Sequence, residues 1–364
     1  MIRILHVVTY MGRGGLETML MNYYRNIDRS MVQFDFLVHR DFEADYDAEI
    51  LSLGGRIFHV SRLIPWSRGY RRELKSFFEL HPEYRIVHVH QDCLSSVALE
   101  CARECGVPVR IAHCHSASAV KNFKFKIKEY YMKFIPKFAT DLFACSQEAG
   151  EWMFHTSDFK ILKNAIDSEK YMFDLDVKGR ICRDLHVEGK VVLGHVGRFR
   201  KEKNHLFLID VFYEFQKLRS DSVLLLVGDG DEEGCVRDRV KQYHLEDKVL
   251  FLGSCSNVNE LLQAMDVFVF PSLYEGLPVT LVEAQAAGVS CLISDRVPLE
   301  CKITDLIHVA CLEDGPQVWA ERVLDLLNED KKNTYLEICN SGFDIKENAK
   351  KLQNYYLEEW GRIE

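Results

Sequence analysis

Two stretches roughly 190 residues apart open in the same way, and this repeat constrains the fold more than anything else in the chain. The first runs Met1-Ile-Arg-Ile-Leu-His-Val-Val-Thr9, an apolar strand, into the glycine-rich turn Tyr10-Met-Gly-Arg-Gly-Gly-Leu-Glu17 and then a helix to about Asn26. The second runs Lys190-Val-Val-Leu-Gly-His-Val-Gly197 into a basic loop, Arg198-Phe-Arg-Lys-Glu-Lys203. A fully apolar, β-branched strand that feeds a glycine turn and a helix is the opening of a doubly wound parallel sheet. Two such openings in 364 residues predict two Rossmann-like α/β domains. The first turn departs from a dinucleotide fingerprint, because Glu17 stands where a third glycine belongs.

The densest signal lies at 266–295. Val267–Phe270 is a buried strand ended by Pro271, and Pro278 sits where a helix accommodates its first residue without wasting an amide. The helix runs to Gly288, and Ser290–Ser294 is a second buried strand. Glu275 falls in the loop and Glu283 inside the helix. Between them, in a loop that also holds Gly276 and Pro278, the free amides of Leu277, Val279 and Thr280 carry the positive end of the helix dipole, an anion site suited to phosphate or diphosphate. Carboxylates on either side of such a cradle suit a ligand with hydroxyls at both ends, such as a nucleotide sugar. Arg198 and Lys203, a fork and a point charge in one loop, are natural clamps for the diphosphate.

Phe-Pro-Ser-x-x-Glu-Gly-x-Pro followed by Glu-Ala-x-Ala-x-Gly, with seven residues between Glu275 and Glu283, resembles the retaining, GT-B-fold glycosyltransferases of family 4, in particular those of bacterial capsule and exopolysaccharide synthesis. The resemblance implies two Rossmann-like domains facing across a cleft. The predicted spans are 1–168 on the acceptor side, 169–344 for the nucleotide sugar, and 345–364 as a helix crossing back onto the first domain. It implies transfer with retention from a nucleoside-diphosphate sugar, a UDP-sugar by expectation, to a hydroxyl of a lipid-linked or oligosaccharide acceptor. Arg198 and Lys203 would bind the diphosphate, Glu283 the ribose hydroxyls and Glu275 the donor sugar. His115 and the Gly14-Gly15 loop would line the cleft. Lys160-Ile-Leu-Lys-Asn-Ala-Ile-Asp167 is similar to the family's hinge signature, with Ala165 in place of glycine. No cofactor and no metal are expected, so the three Asp-x-Asp matches at 45–47, 174–176 and 229–231 are read as chance in a chain with 55 acids. The rival readings are a GT-B epimerase or phosphorylase, and a catalytically silent scaffold subunit of a polysaccharide assembly complex.

The net charge of −9 argues against a nucleic-acid partner. It is uneven: 22 Lys and Arg against 20 Asp and Glu over 1–168, then 24 against 35. Within the first part, Lys121–Phe138 interleaves six lysines with aromatics, and Arg62, Arg68, Arg71, Arg72 and Lys75 flank Trp66. Such a surface suits peripheral contact with anionic lipid. The expected location is cytoplasmic, peripheral at the inner face of the membrane. The chain start lacks the length and cleavage site of a signal peptide, and the twelve scattered cysteines read as reduced thiols. His88 and His113 are expected to be core residues, while His90 and His115 close their strands at the carboxyl edge.

Overall fold

The computed structural model describes the whole chain except residues 116–122 and the side chains of Phe123 and Lys124. The expected Ser/Ala loop after His115 and the start of the basic stretch therefore lie outside the described residues.

The chain forms two compact units, Met1–Ala165 with Asp344–Glu364, and Ile166–Phe343. The first contains β1 (Ile2–Val7), β2 (Val32–Val38), β3 (Ile57–His59), β4 (Ile86–Val89), β5 (Val109–Cys114), β6 (Asp141–Ala144) and β7 (Lys160–Ile161), in the sheet order β3-β2-β1-β4-β5-β6-β7. The second contains β8 (Val191–Val196), β9 (Ser222–Val227), β10 (Val249–Gly253), β11 (Val267–Phe270), β12 (Ser290–Ser294) and β13 (Ile307–Ala310), in the order β10-β9-β8-β11-β12-β13. Every strand pair is parallel. The strand order reverses beside the first strand of each unit, between β1 and β4 and between β8 and β11. In open parallel sheets ligands bind at the carboxyl ends of the strands at this reversal.

Central strands read as continuous apolar runs because helices cover both faces. In the second unit, Phe268, Phe270 and Leu281 pack on one side of the sheet, and Val267, Val269, Phe212 and Trp319 on the other. The helix Ile345–Ile363 places Ile345, Ala349, Leu352 and Tyr356 in the core of the first unit, against β1, β2 and the helix Gly15–Asn26. Asp344 caps it by accepting from the amides of Lys346 and Glu347.

The helix Gly15–Asn26 begins directly at the glycine turn, and the final helix runs to Ile363. Gly14 is the cap residue, with extended backbone, and the turn's glycines lead straight into the helix. All twelve cysteines are free thiols. No described helix is long and apolar enough to cross a membrane.

The basic stretch forms the helices Phe123–Met132 and Ile135–Phe138. Met132, Ile135 and Phe138 join the core of the first unit, while Tyr130 stays exposed. Several of its cations, and those around Trp66, are paired with acids: Lys128 with Asp92, Arg71 with Glu100 and Lys75 with Glu104.

Candidate functional site

In the second unit, two loops meet where the strand order reverses. One leaves β8 through Gly197 and Arg198 and makes a single 3₁₀ turn, Lys201–Lys203. The other leaves β11 through Pro271 and Ser272. Asn204, in the left-handed region at φ 57°, donates its side-chain amide to the Pro271 carbonyl at 3.1 Å. The Leu273 amide donates to the Glu202 carbonyl at 2.8 Å. These bonds hold the loops in register and bring Lys203 Nζ to 2.7 Å from Glu275 Oε1.

The pair is well enclosed, with side-chain exposures of 18% and 12%. The ammonium also lies 4.7 Å from the centre of the Phe270 ring, a cation–π contact that water screens only partly. Beneath it, His195 on β8 bonds through Nδ1 to the Val269 carbonyl at 2.9 Å. Burial, aided by the Lys203 charge, lowers the His195 pKa to about 4, so the imidazole is neutral at pH 7. The Lys203 stem crosses Gly197, whose missing methyl would lie 3.5 Å from Cδ and Cε. Gly228, at φ 137°, lets the end of β9 approach this loop: a side chain there would stand 2.1 Å from the Gly197 carbonyl oxygen. Arg198 leaves the same strand end, partly buried.

Gly276, Leu277 and Pro278 complete the second loop, and the helix begins at Val279 with Pro278 as its cap residue. The helix therefore starts one residue later than expected, at Val279, and ends at Ala286 with Gly288 beyond it in the left-handed region. Glu283 lies within it, 8% exposed, and the Tyr171 hydroxyl donates to its Oε1 at 2.8 Å. Burial raises the Glu283 pKa to about 7, and the Tyr171 bond only partly opposes this. The buried hydroxyls of Ser272 and Thr280 have no hydrogen-bond partner among the described residues. Tyr171 and the hydroxyls of Ser272 and Thr280 escaped sequence reasoning, which used Thr280 only for its amide. Tyr171 carries no local motif, and the serine and threonine read as ordinary turn residues.

The Asp-x-Asp pairs have local roles. Asp45 accepts from the Arg13 amide and Asp47 from the Ala44 amide. Asp174 caps the helix Leu175–Asp184, and the Asp229 carbonyl accepts from the Phe199 amide.

His115, Gly14 and Gly15 belong to the first unit, apart in the chain from the Lys203–Glu275 site. Gly14 and Gly15 open the helix after β1. In the parallel register His6 on β1 pairs with His88 on β4, which in turn pairs with Ile111 on β5. Because successive side chains alternate faces, His6, His88, His90, His113 and His115 all fall on one face. His6 Nδ1 lies 3.0 Å from His90 Nε2, and His90 Nδ1 lies 2.9 Å from His115 Nε2. Neighbouring rings stack at centroid distances from 4.0 Å (His113–His115) to 5.4 Å (His6–His88). His88 Nδ1 lies 2.7 Å from the Tyr356 hydroxyl, within hydrogen-bond distance. Burial lowers the pKa of every member, to about 3 for His6 and His115, so the stack is uncharged at neutral pH.

The pattern of the family "Glycosyl transferases group 1" matches residues 183–340, which includes every site residue of the second unit except Tyr171. The chain is 36% identical to the putative glycosyltransferase EpsF of Bacillus subtilis, over 97% of this chain and 96% of that protein. It is 25% identical to the UDP-Gal:alpha-D-GlcNAc-diphosphoundecaprenol alpha-1,3-galactosyltransferase of Escherichia coli, over 79% of this chain and 80% of that one. Among solved structures, Anabaena HepE in complex with UDP superposes with a TM-score of 0.73 at 17% identity, covering 98% of this chain and 95% of the other, a likeness of fold. Two parallel α/β units with such neighbours constitute the GT-B fold. With a relative this similar along nearly its whole length, the chain belongs to the group 1 glycosyl transferases.

Proposed function

We propose that this glycosyltransferase is a retaining, family 4 enzyme that moves a sugar from a UDP-sugar to a hydroxyl of a lipid-linked or oligosaccharide acceptor in surface polysaccharide synthesis. The observation that carries the reading is the Lys203–Glu275 pair, enclosed at the strand-order reversal beside the helix that bears Glu283. Arg198, Lys203 and the amides of Leu277, Val279 and Thr280 bind the diphosphate and stabilise charge on the leaving group, usually the largest catalytic effect. They supply the positive charge that a divalent cation supplies in metal-dependent sugar transferases. Glu283 accepts from the ribose hydroxyls, and Glu275 orients the donor sugar. The second unit thus serves the donor and the first the acceptor, with His115 offering a neutral imidazole to a hydroxyl and Gly14-Gly15 leaving room for close approach. Support for the nucleotide and the acceptor comes from the UDP bound to HepE and from the diphosphoundecaprenol named in the E. coli relative.

A thermal-shift panel of UDP, GDP, ADP and their sugars tests the donor. A ligand at a hundred times its dissociation constant stabilises the folded state by about 2.7 kcal/mol. Selective stabilisation by UDP or a UDP-sugar is expected. A flat panel would shift the weight to a silent scaffold subunit. The anomeric configuration of the product, read by NMR, decides retention.

Peripheral membrane contact is supported by exposed Ile64, Trp66 and Tyr130 lying among Arg62, Arg68, Lys133 and Lys137. Flotation with phosphatidylglycerol liposomes is expected to carry the protein upward at low salt and less so at high salt. Equal recovery with neutral and anionic vesicles would remove this part of the reading.

A further inference from the structure

The histidine stack of the first unit is more than the acceptor reading requires. Five imidazoles on one face of three adjacent strands is an unusual use of core positions that aliphatic residues would fill at less cost. His90, His113 and His115 each present one ring nitrogen such that the three lie within 4.8 Å of one another. A tetrahedral zinc ion bound at about 2.0–2.1 Å to each nitrogen holds its ligand atoms about 3.3 Å apart, so at most about 1.5 Å of closure at any pair converts the group into a ligand set.

The surroundings favour such a site. His113 is 2% exposed, and neither of its nitrogens makes a hydrogen bond among the described residues. His90 already meets His6 Nδ1 at 3.0 Å through Nε2, which leaves Nδ1 for the ion. The nitrogens that would face the ion on His90 and His115 stand 2.9 Å apart. Each ring can keep its single proton on the outer nitrogen, so binding needs no proton loss from a neutral ring, only the small closure and a choice of tautomer.

We propose that His90, His113 and His115 bind one borderline divalent cation, zinc foremost, with a fourth position open to water. Imidazole nitrogens suit zinc, copper and nickel over magnesium or calcium. The site ties the carboxyl ends of β4 and β5 together and fixes the His115 ring. It is distinct from the diphosphate site, whose residues all lie in the second unit.

The test uses tag-free, full-length protein stripped with a chelator, loaded with zinc chloride, desalted and analysed for metal by mass spectrometry. About one equivalent of zinc is expected to remain, with a rise of several degrees in the melting temperature of the stripped protein. His113→Asn and His90→Gln should abolish retention. Cys311→Ser, which breaks the exposed group Asp295, Cys311 and Glu313, should leave it intact. Wild-type protein loaded with cobalt(II) provides a readout that needs no variant. Tetrahedral ligand-field bands without thiolate charge transfer are expected from an all-imidazole site. No retained metal, loss of retention in Cys311→Ser, or a thiolate band would each overturn the proposal. Because the measurements read metal directly, they fail or succeed independently of the donor panel.

Discussion

Lys203→Met is expected to lower kcat/KM by about 10²–10³-fold, the cost of removing one charge-stabilising group aimed at a leaving anion. Methionine is the informative replacement because it keeps the apolar stem over Gly197 and Phe270 and removes only the charge. The loss should fall mainly on kcat if the ammonium engages the diphosphate more strongly as the sugar departs. Part of the effect is structural, since Glu275 loses a partner at 2.7 Å in an enclosed setting. A cycle with Glu275→Gln separates the two contributions: the double variant should recover stability and not activity. Lys203→Arg is not a conservative control, because a planar fork cannot occupy the position of a point charge over the Phe270 ring. Activity within about threefold of wild type in Lys203→Met would remove Lys203 from the diphosphate site.

Glu283→Gln is expected to make the ligand-free protein more stable above neutral pH, even as it weakens nucleotide binding. Burial raises the carboxyl to about 7 in the folded state, from an unfolded value near 4.5. Between these limits the folded chain holds a proton that the unfolded chain has lost, so stability falls as pH rises. The contribution is fully present below the unfolded pKa and lost as pH passes through about 7. A separation of this size corresponds to about 3 kcal/mol. Denaturant midpoints of the wild type and Glu283→Gln should therefore diverge between pH 5 and 8, the variant becoming the more stable. Parallel curves would refute the burial argument.

The same carboxyl connects pH to ligand. Ribose hydroxyls donate to the ionised form, so nucleotide binding at pH 7 should release about half a proton from Glu283. Calorimetry of UDP binding in two buffers of different ionisation enthalpy measures the release. Subtracting the value for Glu283→Gln removes the diphosphate's own titration. No difference between the two proteins would dissociate Glu283 from the ribose.

How much of this was legible in the chain depends on how local each feature is. β11 and β12 match the expected spans because Pro271 and Gly288 punctuate them and both strands are apolar throughout. Edge strands such as the two-residue β7 lack an apolar run to announce them. The second unit's loops could be read because Arg198 and Lys203 share one loop and Glu275 to Glu283 one loop and helix. Their meeting follows from a strand order that such openings nearly always adopt. Tyr171 could not be read, since its bond to Glu283 joins residues 112 apart with no spacing rule between them. The histidines are an intermediate case. Alternation places His88 with His90 and His113 with His115, but only the pairing of β1 with β4 and β4 with β5 merges the pairs and adds His6.

The polypeptide passes between the units twice, at 165–166 and 343–344, where the Ile166 amide donates to the Phe343 carbonyl at 2.9 Å. The second unit is thus an insertion within the first, and the order of synthesis is inverted relative to the order of completion. Ile166–Phe343 can finish folding while the chain is still being made, whereas the amino-terminal sheet must wait, with Phe34 and His88 uncovered, for Tyr356, which is made after the second unit. A stop codon between positions 344 and 356 would therefore damage the domain that was synthesised first and spare the one beside it in the sequence.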